Sequence, residues 1–129
     1  MTYTLDRTLR ATSFDDAVGR TKSALSKHGF GVLTEIDVKA TMKKKIDADI
    51  ADYLILGACN PRMAFEAMKL EPKVGAMLPC NVILRGLDDG DVMVSAIDPV
   101  ASMQAINNEV LNSLASKVRS MLAEVVAEI

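Results

Sequence analysis

The spacing of hydrophobic and polar residues along the chain predicts strands and helices in a mixed order. Strict alternation or short apolar runs predict strands over residues 2–10, 30–36, 51–59, 80–87 and 91–97. Apolar residues at helical spacing predict helices over residues 14–28, 61–70 and 99–129, the last with a break near Asn107. Residues 37–49 fit either a short amphipathic helix or an exposed loop.

Capping and turn residues support this order of elements. Ser13 is a typical helix N-cap, and Pro61 and Pro99 each follow a capping residue. The tripeptide Asp-Asp-Gly at residues 88–90 is typical of a β-hairpin turn. The run over residues 51–59 is apolar on both faces, which predicts a central strand covered on both sides.

Together these elements predict an α+β fold made of a single domain, residues 1–129. The domain has two layers: one mostly antiparallel sheet of about five strands, with helices packed on it. Because only 4% of the residues are aromatic and Trp is absent, the core must be built from aliphatic side chains.

Charge and hydropathy limit the partners of the protein. The formal net charge of −2 gives no support to a nucleic-acid partner, and residues 43–45 are the only candidate basic patch. No apolar stretch approaches the roughly 18 residues that a membrane span needs. The first residues lack the features of a signal peptide, so we expect a cytoplasmic protein without a membrane partner.

Candidate chemistry is concentrated in two similar motifs, Ala58-Cys59-Asn60-Pro61 and Pro79-Cys80-Asn81, which contain both cysteines of the chain. Each motif lies where a predicted strand begins or ends, a common place for ligand binding. Arg62 follows the first motif and can balance the charge of an anion bound at the helix start. The candidate ligand-binding residues are therefore Cys59, Asn60, Pro61, Arg62, Pro79, Cys80 and Asn81.

The two thiols have several possible roles. The start of the helix after Cys59 predicts a lowered thiol pKa, which suits a redox pair. Cys59 and Cys80 are also the metal ligands if there is a metal, and Met63 and Met77 can add thioethers, a donor set that favours Cu(I). The alternative is that both cysteines are small buried hydrophobes and both methionines fill the core.

Strand topology decides whether the thiols can meet. If strands 51–59 and 80–87 are antiparallel neighbours, Cys59 and Cys80 lie at the same end of the sheet. If they form a parallel unit, the thiols lie about 20 Å apart at the usual rise per residue. Asn60 and Asn81 have a local alternative as well, because Asn commonly caps helices and forms turns.

The only histidine, His28, falls in the last turn of the first predicted helix, where a packing or capping role is expected. A single histidine excludes a His-cluster metal site. No P-loop, GxGxxG or CxxC motif occurs, and the sequence identifies no cofactor.

Three blocks of the sequence resemble the signature of the domain of unknown function 302 family. They are residues 28–37 (HGFGVLTEID), 52–61 (DYLILGACNP) and 75–82 (GAMLPCNV). The resemblance implies a small bacterial or archaeal α+β domain that forms a homodimer. It implies no activity and no catalytic residue, although the chain keeps the Cys-Asn-Pro and Pro-Cys-Asn positions of the family.

Three functions remain open from the sequence. The first is a small cytoplasmic dimeric domain that binds a small molecule or a soft metal near the two Cys-Asn motifs. The second is a thiol-based redox protein or enzyme that uses the same cysteines. The third is a structural dimer module without an active site, in which the thiols are merely buried.

Overall fold

Five strands form one antiparallel sheet in the computed structural model, which describes residues 2–129. The strands are β1 Thr4–Leu9, β2 Gly31–Asp37, β3 Tyr53–Cys59, β4 Cys80–Gly86 and β5 Val92–Ile97. Their spatial order is β1-β5-β4-β3-β2, and every neighbouring pair is antiparallel. The α+β class and the antiparallel sheet predicted from the sequence are therefore confirmed.

The helices follow the predicted order. They are α1 Phe14–Lys27, α2 Val38–Ile46, α3 Pro61–Leu70, α4 Pro99–Ser102 and α5 Glu109–Glu128, with a 3₁₀ helix at Pro72–Met77. Residues 37–49 contain a helix rather than a loop because the Asp37 carboxylate accepts a hydrogen bond from the Ala40 N–H and caps it. None of the described helices is long and apolar enough to cross a bilayer.

The predicted break near Asn107 is confirmed, and its cause is a new helix cap. The Asn108 side chain accepts a hydrogen bond from the Leu111 N–H at 3.0 Å and starts α5. Its amide group also donates to the Leu70 carbonyl at 3.2 Å. Asn108 thereby ties the start of α5 to the end of α3.

One face of the sheet carries the main core, in which α1 and α5 pack on the strands. Leu56, Val82 and Leu84 are fully buried on this face. Leu25 of α1 and Leu122 of α5 close the cluster from the helix side. Successive strand residues point to opposite faces, so Leu56, Val82 and Leu84 reach this face from alternate positions of β3 and β4.

A second, smaller apolar cluster lies beside the main core, and we call it the minor core. It joins Ala67 of α3, Val74 of the 3₁₀ helix, Met103 after α4, and Leu111 and Ala115 of α5. The minor core places α3 and the first half of α5 side by side at one end of the sheet.

The other face of the sheet, here called the open face, forms the floor of a shallow groove. Tyr53, Ile83, Arg85, Met93 and Asp6 belong to this face and line the groove on strands β1, β3, β4 and β5. The sequence predicts cover on both sides of β3. Within residues 2–129, however, the core clusters take up β3 residues from the main-core face alone.

Candidate functional site

The two cysteines lie at the same end of the sheet. Strands β3 and β4 are antiparallel neighbours, and Cys80 is the register partner of Ala58, the residue next to Cys59. Of the two topologies open from the sequence, the antiparallel one is thus correct. Both thiols are free; Cys59 is half-buried and Cys80 is buried.

Cys59, Asn60 and Cys80 line one cavity between the main core and the minor core, which we call the intercore cavity. Its volume is about 40 Å³. An engineered apolar cavity of about 150 Å³ admits benzene, so this smaller space suits an ion or a very small molecule. Most of the wall is hydrocarbon from Ala, Leu, Phe, Pro and Val side chains.

Two methionines are among the residues that line the intercore cavity. Met63, in the first turn of α3, lines it as the sequence suggested, and Met103 after α4 lines it as well. Met103 was missed because it lies far along the chain and no local pattern connects it with the Cys-Asn motifs. Met77, the other candidate thioether ligand, is 42% exposed and is not part of the cavity wall.

Burial controls the ionisation of both thiols. It raises the pKa of Cys59 above the usual value for a thiol. It also raises the pKa of Cys80 to about 11, and the nearby charge of the Cys59 thiolate adds to that rise. The lowered pKa expected at Cys59 from the helix start is therefore wrong, because desolvation outweighs the helix dipole. Protonated thiols are poor nucleophiles, which disfavours the thiol-based redox interpretation.

Asn60 caps a helix, which is one of the two roles that the sequence suggested for it. Its side-chain oxygen accepts a hydrogen bond from the Met63 N–H at 3.3 Å and caps α3, with Pro61 at the first helical position. A Cβ atom at Gly29 would lie 3.3 Å from the Asn60 amide nitrogen. The backbone at Gly29 therefore passes close to the Asn60 side chain. The φ of Gly29, +81°, also favours glycine at this position.

We expect the Asn60→Ala variant to lose about 1 kcal/mol of unfolding free energy, because it removes an N-cap. Chemical denaturation checks this value. Asn107→Ala is the control: Asn107 is an exposed asparagine outside the sheet, so its replacement should cost less than about 0.5 kcal/mol. Equal losses in the two variants would contradict the capping role.

The other proposed site residues do not gather around the intercore cavity. Asn81 follows Cys80 in β4 and therefore points to the opposite side of the sheet, into the groove of the open face. Pro61 and Arg62 are exposed at the start of α3 and are not part of the cavity wall. Pro79 lies over Gly57 in β3. Of the seven predicted ligand-binding residues, only Cys59, Asn60 and Cys80 line the intercore cavity.

His28 has acidic partners that the sequence pattern did not reveal. It is the C-cap residue of α1, in agreement with the expected capping role. Its Nε2 lies 2.8 Å from a Glu128 carboxylate oxygen, and its Nδ1 lies 3.5 Å from one of Glu124. Among residues 2–129, no group of three His, Cys, Asp or Glu side chains is arranged to hold a metal ion.

Fold and cavity together define a small α+β protein with an apolar cavity at the junction of two strands and a helix start. The chain belongs to the family described as Domain of unknown function DUF302, whose model matches residues 5–129. This confirms the resemblance seen in the three sequence blocks.

A solved relative shows the same fold. The crystal structure of an uncharacterized conserved DUF302 protein from Bacillus stearothermophilus is similar over 99% of this chain and 98% of that chain, with a TM-score of 0.91. The sequence identity is 22%, so the likeness concerns the fold alone. No curated protein matches the sequence.

Proposed function

We propose that this domain binds a small ligand in the intercore cavity, in contact with Cys59, Asn60 and Cys80. The observation that carries the proposal is that both cysteines and Asn60 are among the residues that line an otherwise apolar space. Ligand sites typically combine an apolar wall with a few convergent polar groups. The volume of about 40 Å³ limits the enclosed part of the ligand to the size of an ion or a very small molecule.

The location of the protein is part of the same proposal. Both thiols are free. Free thiols persist in reducing compartments, where disulfides are rare. We therefore place this binding function in the cytoplasm.

Native mass spectrometry on protein purified without oxygen tests the binding proposal. We expect extra mass on the unmodified chain. In the Ala64→Leu variant we expect that mass to be lost, because Ala64 lines the cavity and a larger side chain there fills it without altering either thiol. Ala123→Leu is the matched control, since Ala123 is exposed on α5 and lies outside the cavity wall. A chain of bare polypeptide mass would contradict the proposal, as would extra mass that Ala64→Leu retains.

We also propose that the protein is a homodimer in which two open faces pack against each other. The open face presents Ile83 and Met93 together with one base, Arg85, and one acid, Asp6. No ion pair joins Arg85 or Asp6 to another charged group within the described residues. A two-fold interface places the same surface on both subunits, so the base of one copy can face the acid of the other.

Sedimentation velocity at micromolar concentration tests the dimer. We expect a dimer for the unmodified chain and a monomer for Ile83→Glu, which places a charge in the middle of the open face. Val110→Glu is the control, because Val110 is an apolar residue that is 62% exposed on α5. The double variant Asp6→Lys with Arg85→Glu should regain a dimer that Asp6→Lys alone weakens. A monomeric unmodified chain would refute this assembly.

A further inference from the structure

The surface of the intercore cavity belongs almost entirely to apolar atoms. None of the described residues that line it is Asp, Glu, Lys, Arg or His. Arg62, which follows Asn60 and Pro61 in the chain, is exposed and outside the cavity wall. The wall therefore offers no charged side chain that could pair with an ionic ligand.

The polar groups of the lining residues are neutral or already bonded. Burial raises the pKa of Cys59, and it raises the pKa of Cys80 to about 11, so both thiols stay protonated at neutral pH. The Asn60 side-chain oxygen accepts its hydrogen bond from the Met63 N–H. The wall thus carries no charge, whichever atoms of these residues face the cavity.

The cavity lies where short side chains from three elements meet. Ala58 of β3, Ala64 and Ala67 of α3 and Ala115 of α5 all line it. Protein interiors are close-packed, so a larger side chain at one of these positions would occupy the space. Ala58, Ala67 and Ala115 are buried, whereas Ala64 is half-buried. A larger residue at position 64 therefore fills the cavity with the least disturbance of the core.

We propose that the intercore cavity binds an uncharged aliphatic group, which is either a free apolar molecule of a few atoms or the methyl end of a longer chain. This inference rests on the proposed binding function and specifies the chemistry of its ligand.

The free energy of desolvation favours such a group over an ion. An ion that enters apolar surroundings loses its hydration, and this cost is offset only if the ion is paired or hydrogen-bonded. An apolar cavity stays dry instead and binds neutral molecules such as xenon or benzene. The volume of about 40 Å³ is well below the roughly 150 Å³ that admits benzene, so the enclosed group is smaller than an aromatic ring.

Xenon, iodide and caesium ions test the charge of the ligand, because the three are isoelectronic and differ in charge. Each is added at equal concentration to the unmodified protein, and methyl NMR follows the lining alanines. We expect a saturable shift of the Ala115 methyl resonance with xenon and none with either ion. Ala64→Leu should abolish the xenon response of Ala115. Ala123→Leu is the matched control and should retain it, because Ala123 is exposed on α5 and lies outside the cavity wall.

Two alcohols distinguish the two sources of the aliphatic group. Hexanol has one methyl end, whereas the hexanediol with a hydroxyl group at each end has none. If the cavity holds the end of a longer chain, hexanol should displace xenon at a concentration about 10-fold lower than the diol, because a buried hydroxyl loses its hydrogen bonds to water. If the cavity holds a free molecule, xenon binds and neither alcohol displaces it.

The outcomes separate this inference from the proposed binding function. An iodide or caesium response that Ala64→Leu removes, without a xenon response, would overturn the aliphatic ligand and leave the binding function intact. The same holds if no probe binds but native mass spectrometry finds an adduct that Ala64→Leu removes. If no probe binds and only the bare chain is found, both proposals fail.

The variant has its own check. Circular dichroism establishes that Ala64→Leu is folded, and the comparisons of ions and alcohols use the unmodified chain and do not depend on it. A xenon response that folded Ala64→Leu retains would overturn the inference, because xenon would then bind outside the intercore cavity.

Discussion

Replacing Leu56 by Ala is expected to lower the free energy of unfolding by about 2–5 kcal/mol. Leu56 lies in β3, is 0% exposed and belongs to the main core between the sheet and helices α1 and α5. The shorter side chain removes apolar contacts and leaves a cavity that a central strand cannot close by moving. Urea denaturation of the purified variant measures the loss.

A second leucine in the sheet provides the control for this experiment. Leu33 lies at the bulge of β2, where the register with β3 shifts, and it is 64% exposed. Leu33→Ala makes the same chemical change without emptying a packed space, so we expect a change within about 0.5 kcal/mol. If both variants lost the same stability, the assignment of the core to one face of the sheet would be wrong.

The periodicity of the sequence was sufficient to predict the elements because each one agrees with its local signals. Helix α3 shows this, since Asn60, Pro61 and the apolar spacing after them all indicate the same start. Strand β3 was also correctly predicted, except that the predicted range started at residue 51, two residues before the observed strand Tyr53–Cys59. Local capping and turn chemistry acts within a few residues, so it can be recognised without knowing the fold.

The candidate site was only partly predictable because its assembly depends on contacts between distant segments. The repeated Cys-Asn pair suggested that all four residues act together. In a strand, however, consecutive side chains point to opposite faces. Cys80 therefore enters the intercore cavity whereas Asn81 faces the open side of the sheet. Met103 reaches the same cavity only through the packing of the minor core, which no sequence spacing encodes.

Strand pairing was the other step that sequence alone left open. The connection from β3 to β4 contains α3 and the 3₁₀ helix. A connection that includes a helix is long enough for a parallel crossover, yet it equally allows an antiparallel return. The observed register, with Ala58 opposite Cys80, is what brings Cys59 and Cys80 to one end of the sheet.

Gly57 is the position where this arrangement is most sensitive to a small change. A Cβ atom there would overlap the Thr34 hydroxyl on β2 and lie 2.8 Å from Cγ of Pro79. We expect Gly57→Ala to lower the free energy of unfolding by about 1–3 kcal/mol, because an added methyl group in a closely packed place forces its neighbours apart. Thermal and urea denaturation both measure this loss.

Two further variants test that explanation of the glycine. Gly19→Ala should instead stabilise the protein by up to about 1 kcal/mol, because Gly19 lies in α1 with nothing within 4 Å of an added Cβ. Adding Thr34→Ala to Gly57→Ala should recover part of the loss, since it removes one of the two clashes and leaves that with Pro79. If Gly57→Ala is as stable as the unmodified chain, Pro79 does not pack closely against Gly57 of β3. The start of β4 at Cys80 is then not held against β3 by this contact.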